Sequence, residues 1–262
     1  MQVQESLLQK SRAINKILQK IRGNPVDFFW IADVISKQMD CTVFIVGRRG
    51  QISGYAFSDT DPCTKLKVLL SHSERFPESY NQELNTILET RPNMTITDGR
   101  RCIFNPEGIE CDCSQKIWSI TPVYGGATRV GTLILVRSDR EFDDEDILLA
   151  EYGAIVVANE IMRMRSERIE ETARKKASVQ VALATLSYSE KEAIDHIMAE
   201  LKGKEGHLVA SRIADKAGIT RSVIVSALRK IESAGVIESR SLGMKGTYIK
   251  VLNDYLLEEL KK

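Results

Sequence analysis

The sequence predicts an α+β fold in which helices surround an antiparallel sheet, followed by one long helix and a smaller C-terminal domain. Three features support this architecture: two hairpin patterns in the first half of the chain, one long uninterrupted helical pattern, and a glycine-punctuated series of short helices near the end. The predicted divisions are 1–142 for the first domain, 143–187 for the long helix and 188–262 for the C-terminal domain.

The composition is that of an ordinary globular protein and gives no global sign of a nucleic-acid partner. The 262 residues are 43% hydrophobic and 28% charged, and 37 basic residues nearly balance 36 acidic ones. No apolar run reaches the roughly 18 residues of a membrane span, and the first residues lack the apolar core of a secretory signal. The five cysteines are an odd number in a long chain, which favours a reducing cytoplasm over a disulfide framework.

Helix and hairpin patterns organise the first domain. Apolar residues at helical spacing predict one helix near the N-terminus and a second over Phe28–Met39. Two β-branched and aromatic runs within Cys41–Phe57 flank a basic turn that contains glycine, which predicts a β-hairpin. A second hairpin is predicted over Lys116–Ser138, with its turn at Gly125 and Gly126.

A long helix is predicted between the two domains. Asp143, Asp144 and Asp146 place negative charge at its start, where the helix dipole favours it. Apolar residues then recur at steps of three, four or seven. A stripe this narrow predicts a connector between domains and a candidate pairing surface for a second copy of the chain. The stripe consists of Leu148, Tyr152, Ile155, Ala158, Met162, Ile169, Ala173, Ala177, Val181 and Ala184.

The C-terminal pattern is that of a helix-turn-helix followed by a wing. Ser189 and Glu192 have the spacing of a capping box at the start of the first helix. Gly218 supplies the tight turn between the second helix and the third. Two glycine-broken strands after the third helix predict the wing. The predicted helices span about 189–202, 210–217 and 220–233.

The third of these helices carries side chains suited to reading DNA. Its buried stripe is predicted to consist of Ile224, Ala227, Leu228 and Ile231. Short polar and basic groups on another face suit base edges and phosphates. Thr220 is placed to cap the helix. The residues predicted to contact DNA are Thr220, Arg221, Ser222, Ser226 and Arg229 on this helix, and Arg240 and Lys245 in the wing.

The local charge supports the same interpretation. Between Lys204 and Lys250, nine lysines and arginines accompany four acidic residues, a surplus of five that the global balance conceals. Phosphate binding is mainly electrostatic, so such a surplus favours DNA. The alternative is a helical bundle with an ordinary charged surface. The order of short helices, glycine turn and basic wing favours the DNA-binding interpretation.

The segment LVASRIADKAGITRSVIVSALRKIESAGVIESRSLGMKGTYIKVLN resembles the winged helix-turn-helix of the CodY family, nutrient-responsive global repressors of low-GC Gram-positive bacteria. SLLQKSRAINKILQ, RVGTLILVRS and DILLAEYGAIVV extend the resemblance over nearly the whole chain. The resemblance implies a GAF-like sensor domain, a linking helix and a homodimer or tetramer. It implies that isoleucine, valine or leucine, together with GTP, raises affinity for an AT-rich palindromic operator of nutrient-limitation and stationary-phase genes. It also adds Ala214 to the DNA-contacting residues.

The resemblance further implies an effector pocket around the FP pair and the loop CIFNPEG. Family members hold the amino-acid carboxylate with an arginine before the FP pair, but no arginine stands near Cys63–Leu66 here. Lys65 or Lys67 would supply a point charge instead of a fork. A branched-chain amino acid held in another geometry and a different ligand are both compatible with this departure. The implied effector-binding residues are Lys65, Phe76, Pro77, Tyr80, Cys102, Phe104, Asn105 and Pro106.

Two other function classes are weighed against this one. Cys102, Cys111 and Cys113 could sense a metal or redox state, although C-x-C spacing is a weak signal and ordinary loop thiols are the alternative. A nucleotide-hydrolysing enzyme is disfavoured, because GGATRVGT at Gly125–Thr132 lacks the P-loop lysine and is predicted to form a β-turn. No histidine has a nucleophile and an acid arranged around it. The chain is therefore predicted to be neither an enzyme nor a metalloprotein.

Overall fold

A computed structural model describes residues 6–20, 26–58, 74–95, 116–201, 203–243 and 246–260. The chain forms two compact units that divide between Arg165 and Ser166. This division falls inside the long helix, so each unit contains one part of that helix. Among the residues described, no helix is both long enough and apolar enough to cross a membrane.

The first unit is a five-stranded antiparallel sheet with helices on both faces. Its elements are α1 (Leu7–Lys20), α2 (Phe28–Met39), β1 (Thr42–Gly47), β2 (Ile52–Ala56), α3 (Glu78–Thr86), β3 (Arg91–Thr95), β4 (Ile117–Gly125) and β5 (Thr128–Arg137). The strand order is β2-β1-β5-β4-β3. The two hairpins predicted from the sequence, β1–β2 and β4–β5, are confirmed. Helix α3 is not predicted, because its sequence ESYNQELNT carries too few apolar residues for a periodic signal.

Both faces of the sheet are buried, and the alternation of strand side chains divides the core into two layers. In β1, Val43 and Ile45 pack with residues of α1 and α2, whereas Phe44 and Val46 pack in an aromatic layer on the other face. All six residues of β1 are buried. Helix α2 lies close to the sheet, since a Cβ at Gly54 would stand 2.3 Å from the carbonyl oxygen of Phe28.

The predicted long helix is α4 (Asp144–Ala184), which has 41 residues. Its first part buries Leu149 and Val156 in the core of the first unit. The apolar stripe that the sequence indicates includes residues that face outward instead. Leu148, Ile155 and Met162 are 54%, 64% and 43% exposed. These three residues recur every seven positions and form what we call the outer stripe.

A buried ion cluster holds the start of α4. The carboxylate of Asp146 pairs with Arg137 and accepts a 2.7 Å hydrogen bond from Arg140. Arg137 also donates to the backbone carbonyl of Glu141 at 2.8 Å, and its guanidinium carbon lies 3.8 Å from the ring centre of Phe142. Burial favours a raised pKa for Asp146, but the hydrogen bonds from both arginines outweigh it and lower that pKa.

The second unit packs helices against a three-stranded sheet. After the end of α4 come α5 (Tyr188–Leu201), β6 (Glu205–Leu208), α6 (Ala210–Ala217), α7 (Arg221–Ser233), β7 (Ile237–Ser241), β8 (Thr247–Val251) and α8 (Tyr255–Glu259). The strand order is β6-β8-β7. Strand β6 is not predicted from the sequence, since it has four residues and includes Gly206. It becomes a strand by pairing with β8, where Leu208 stands opposite Thr247.

The C-terminal segment of this unit binds the second part of α4. The side-chain amide of Asn253 donates to the carbonyl of Lys175 at 2.8 Å, and its oxygen accepts the backbone N–H of Tyr255 at 3.2 Å. Gln180 donates to the carboxylate of Glu259 at 3.3 Å. Val179 and Ala182 are buried in the same core as α7. The end of the long helix is therefore part of the second unit.

Candidate nucleic-acid interface

The turn between α6 and α7 is three residues long, as a helix-turn-helix requires. Gly218 has φ of 67°, a left-handed conformation that favours glycine. The backbone N–H of Ile219 donates to the carbonyl of Ala214 at 3.2 Å. Ala214 itself is only 8% exposed and packs in the hydrophobic core. Ala214 is predicted from the family resemblance to contact DNA, but its side chain lies in the core beneath the turn.

Helix α7 has the amphipathic division that the sequence predicts. Its buried residues are the four predicted ones, Ile224, Ala227, Leu228 and Ile231. Arg221, Ser222 and Arg229 are exposed. Thr220 is also exposed, but its hydroxyl lies 2.8 Å from that of Ser222 and makes no capping hydrogen bond to the helix backbone. Thr220 thus occupies the predicted N-cap position but does not make the capping hydrogen bond, and the hydroxyls of Thr220 and Ser222 form one polar group at the start of α7.

Ser226 lies apart from this exposed group. Its hydroxyl donates to the carboxylate of Glu190 on α5 at 2.7 Å, a contact that is partly buried. Ser226 is predicted to share a face with Ser222 and Arg229, because residues three and four apart are neighbours on a helix surface. The structure shows that Ser226 lies at the edge of that face, turned toward α5.

The carboxylate of Glu190 is a centre of hydrogen bonds between α5 and α7. It accepts the backbone N–H of Ser187 at 2.8 Å and the ammonium group of Lys230 at 2.7 Å, in addition to Ser226. Hydrogen bonds from Lys230, Ser187 and Ser226 lower the pKa of Glu190 from 4.5 to about 2. Ser187 and Glu190 form the capping box of α5, so the box predicted at Ser189 and Glu192 is wrong by two residues.

Six basic residues between Lys204 and Arg240 fall into two groups of three. Lys204, Lys216 and Lys230 pair with the carboxylates of Asp254, Glu200 and Glu190 at 2.7–2.9 Å. Within the described part of the chain, no carboxylate lies within 4 Å of the guanidinium groups of Arg221, Arg229 or Arg240. The unpaired arginines stand at the start of α7, on its exposed face and on β7. Together with Arg212 and Lys250, which are also exposed and have no carboxylate partner in the described part of the chain, they are cations available to an anionic partner.

The wing is formed by β7, β8 and their connection. Gly243 and Gly246 have φ of 61° and 96°, and a Cβ at Gly246 would stand 2.3 Å from the carbonyl oxygen of Leu208. Glycine is therefore required at Gly246 by both conformation and space. Arg240 is exposed on β7. Lys245, the other predicted wing contact, lies outside the described residues.

The aromatic layer of the first unit contains two of the predicted effector-binding residues. Phe76 is 5% exposed, with its ring 5.9 Å from that of Phe44 and 5.6 Å from that of Tyr80. Pro77 is exposed and precedes the first turn of α3. The structure thus brings Phe76 and Tyr80 together on one face of the sheet. The other implied residues, Lys65, Cys102, Phe104, Asn105 and Pro106, lie outside the described residues.

Arg129 anchors α3 on this face of the sheet. Its guanidinium group donates to the carbonyls of Ile87 and Leu84, the latter at 2.8 Å, and to the hydroxyl of Thr132 at 2.9 Å. Burial lowers the pKa of Arg129. No motif in the sequence indicates this residue. Its effect is to fix the end of the helix that carries Tyr80.

A cavity of about 460 Å³ lies at another place in the first unit, between the segment before β3, strand β4 and helix α4. Leu88, Thr121, Tyr124, Glu151 and Ile155 contribute to its wall. Neither Phe76 nor Tyr80 lines it. The cavity is therefore separate from the aromatic layer where the effector is expected.

The structure also bears on the alternative sites. Within GGATRVGT, Gly125 ends β4 and Thr128 begins β5, so the segment is the hairpin turn predicted from the sequence and precedes no helix. Cys41 is a free, buried cysteine, and burial raises the pKa of its thiol. No cluster of three or more metal-ligating side chains occurs within the described residues. Cys102, Cys111 and Cys113 are not among them.

A helix-and-sheet unit, a long helix and a winged helix-turn-helix with unpaired arginines define a class: transcriptional regulators in which a GAF-like domain is joined to a DNA-binding domain. The family model of the CodY GAF-like domain matches residues 6–185, and that of the CodY helix-turn-helix domain matches residues 204–262. The chain belongs to the CodY family.

Curated relatives support this assignment over almost the full length. The chain is 52% identical to a protein of Clostridium kluyveri and 53% identical to one of Clostridium botulinum strain Okra, in each case over 257 residues and 98% of both chains. Both are named global transcriptional regulator CodY. The predicted family, fold class and role as a transcriptional regulator are confirmed, and so is the prediction that the chain is not an enzyme.

A solved structure is also similar to the first part of the chain. It is described as the cofactor binding GAF domain of the nutrient sensor CodY from Clostridium difficile. The sequences are 31% identical and the TM-score is 0.42. The match covers 60% of this chain and 98% of that one.

Proposed function

We propose that the chain is a cytoplasmic repressor whose affinity for an AT-rich palindromic operator rises when a branched-chain amino acid and GTP bind. The proposal of DNA binding rests on Arg221 and Arg229, two exposed arginines without a carboxylate partner. Both lie on α7, the second helix of the helix-turn-helix. Arginine forms bidentate contacts with guanine and with phosphate. Family membership supports the effector part.

Replacing one exposed arginine tests the DNA-binding face. Arg221→Ala should weaken binding to a labelled AT-rich palindromic duplex by about 10- to 100-fold, since a lost base or phosphate contact costs about 1–3 kcal/mol. The matched control is Lys216→Ala, because Lys216 is exposed but paired with Glu200. Fluorescence anisotropy measures both affinities. Equal affinities for Arg221→Ala and the unmodified chain would remove α7 as the DNA-reading element.

The effector is expected at the aromatic layer. Phe44 and Phe76 are buried in this layer and Tyr80 is half-buried at its edge, so Tyr80 is the side chain of the three through which an aliphatic ligand would meet the layer. Arg129 holds the helix that carries Tyr80. Membership of the CodY family supports a small-molecule ligand in this unit.

Titration calorimetry tests the identity of the effector. Isoleucine, valine or leucine should release heat on binding, with D-isoleucine as the control for stereospecific recognition. Tyr80→Ala should reduce the affinity. The absence of heat with all three amino acids would refute the proposed branched-chain amino-acid effector and would leave the proposal of DNA binding intact. A separate DNA titration with and without GTP tests whether GTP raises operator affinity.

We further propose a homodimer that forms through the outer stripe. Leu148, Ile155 and Met162 repeat every seven residues on one exposed side of α4, a spacing suited to pairing with a second copy about a twofold axis. Ile155→Lys should convert a dimer to a monomer, as measured by light scattering during size exclusion. Arg168→Glu, which changes an exposed charged residue 13 positions further along and therefore on another side of the same helix, should leave the mass unchanged. A monomeric unmodified chain would refute the dimer.

A further inference from the structure

We propose that Glu190 is a positioning residue for sequence-specific DNA recognition, which holds α7 against the junction of α4 and α5 without contacting DNA. The inference rests on the proposed operator binding. Glu190 is 6% exposed and belongs to α5, which precedes the helix-turn-helix. The sequence motifs that indicate DNA binding do not include it.

The first support is the pair of contacts that Glu190 makes with α7. One carboxylate oxygen accepts a hydrogen bond from the hydroxyl of Ser226 at 2.7 Å, and the other accepts one from the ammonium group of Lys230 at 2.7 Å. Ser226 and Lys230 stand four residues apart, so they are neighbours on one side of α7. Two charge-assisted hydrogen bonds from adjacent turns fix both the position of a helix and its rotation about its axis.

The second support is the connection of the same network to the end of α4. The ammonium group of Lys230 also donates to the carbonyl of Thr185 at 3.2 Å. Thr185 directly follows the last residue of α4. The other carboxylate contact of Glu190 is the N–H of Ser187, which caps α5. A cation at the end of one helix and a carboxylate at the start of the next are both favoured by the helix dipoles. The junction and α7 thus share one hydrogen-bonded group.

Rotation of α7 matters because its reading face is narrow. An α-helix turns by about 100° per residue, so neighbouring residues point in very different directions. A rotation of α7 by a fraction of that angle would therefore move Arg229 away from the base edges in the DNA groove. Direct base readout depends on the placement of a few side chains at base edges, whereas phosphate attraction depends mainly on the number of cations. Loss of the Glu190 contacts should therefore reduce discrimination between sequences more than it reduces general affinity for DNA.

The charge of Glu190 makes this effect separable from simple electrostatics. A carboxylate beside a DNA-binding helix repels phosphate, so its removal by itself raises affinity for every duplex. Positioning predicts the opposite result for the preferred duplex. The sign of the change in operator affinity therefore distinguishes a positioning role from a charge effect.

The test uses the full chain and the duplex that it enriches from a random-sequence pool, compared with a scrambled duplex of the same composition. For Glu190→Gln, the ratio of the two affinities should fall by roughly tenfold, the cost of about one base contact, while affinity for the scrambled duplex stays equal or rises. Asp195→Asn removes an exposed carboxylate from the same helix and should keep the ratio. A Glu190→Gln ratio within twofold of the unmodified chain would overturn the inference.

Two milder variants keep the inference testable if Glu190→Gln alters folding, which circular dichroism monitors. Ser226→Ala should lower the ratio in the same direction. Lys230→Gln should leave the salt dependence of binding unchanged, because its ammonium group is engaged by Glu190 and Thr185. If the slope of log affinity against log salt concentration became shallower by about one, Lys230 would be a phosphate-binding residue, and the inference would be overturned. A chain that enriches no duplex refutes operator recognition itself, whereas an unchanged ratio in these variants refutes only the role of Glu190.

Discussion

The two ends of α4 are anchored by different kinds of ion contact. At its start, Asp146 is bound by Arg137 and Arg140. The side chain of Arg137 is almost fully buried. At its end, the carbonyl of Thr185 is bound by Lys230, whose side chain is 41% exposed. A buried ion pair is costly to break, while an exposed ammonium group exchanges easily with water. Loss of the buried anchor at the start should therefore cost more stability than loss of the exposed contact at the end.

The largest difference in the free energy of unfolding should appear between removal of a buried ion pair and removal of an exposed one. Arg137→Ala should lower the free energy of unfolding of the first unit by about 3–5 kcal/mol, because it leaves the Asp146 carboxylate buried without its one fully buried cationic partner. Both tryptophans, Trp30 and Trp118, belong to this unit, so their fluorescence in a denaturant titration reports its unfolding. Lys37→Ala, which breaks the exposed pair with Asp33, is the control and should cost under about 0.5 kcal/mol. Equal losses would contradict the contrast.

A smaller effect is expected at the contact between the C-terminal segment and α4. Asn253→Ala should destabilise the second unit by about 1–3 kcal/mol, since Asn253 is buried and satisfies the Tyr255 N–H as well as the Lys175 carbonyl. Hydrogen exchange of peptides from α7 and α8 measures this loss. Gln180→Ala removes an exposed hydrogen bond and should leave the protection nearly unchanged. Unaltered exchange in Asn253→Ala would show that the segment is not needed to hold this unit.

The smallest effect concerns acid. The pKa of Glu190 in the folded chain is about 2 against an ordinary value of 4.5, so its contribution to stability is present above about pH 4.5 and is lost as pH falls toward 2. Glu190→Gln should therefore be less stable than the unmodified chain at pH 7, with the difference shrinking by pH 3. Denaturant midpoints from circular dichroism at both pH values measure it. A difference that does not depend on pH would mean that the carboxylate charge has no part in the junction.

Local patterns predicted most of the fold. The two hairpins, α2 and the long helix follow from periodicity and turn residues, which act within short stretches of chain. Helix α3 and strand β6 were missed, because α3 is mostly polar and β6 is formed by its pairing with β8. The capping box was misplaced because SYSEKE contains two Ser-x-x-Glu spacings, and only the tertiary contacts of Glu190 select the first.

The face of α7 that is predicted to contact DNA shows the same limit. Helical periodicity separated the buried residues of α7 from Arg221, Ser222 and Arg229. It could not separate Ser226, whose partner Glu190 stands 36 residues earlier in the chain. The burial of Ala214, which only the family resemblance places against DNA, depends on how α6 packs in the core. Residues were placed correctly where one helix decides their exposure, and misplaced where a second element does.

The salt dependence of DNA binding tests most directly the claim that unpaired arginines, not paired lysines, engage DNA. The logarithm of affinity for the enriched duplex is measured against the logarithm of potassium chloride concentration for Arg229→Gln and Lys216→Gln. The slope should become shallower by about 0.9 for Arg229→Gln, the value for one lost phosphate contact, and stay unchanged for Lys216→Gln. An unchanged slope for Arg229→Gln together with a shallower one for Lys216→Gln would contradict the account.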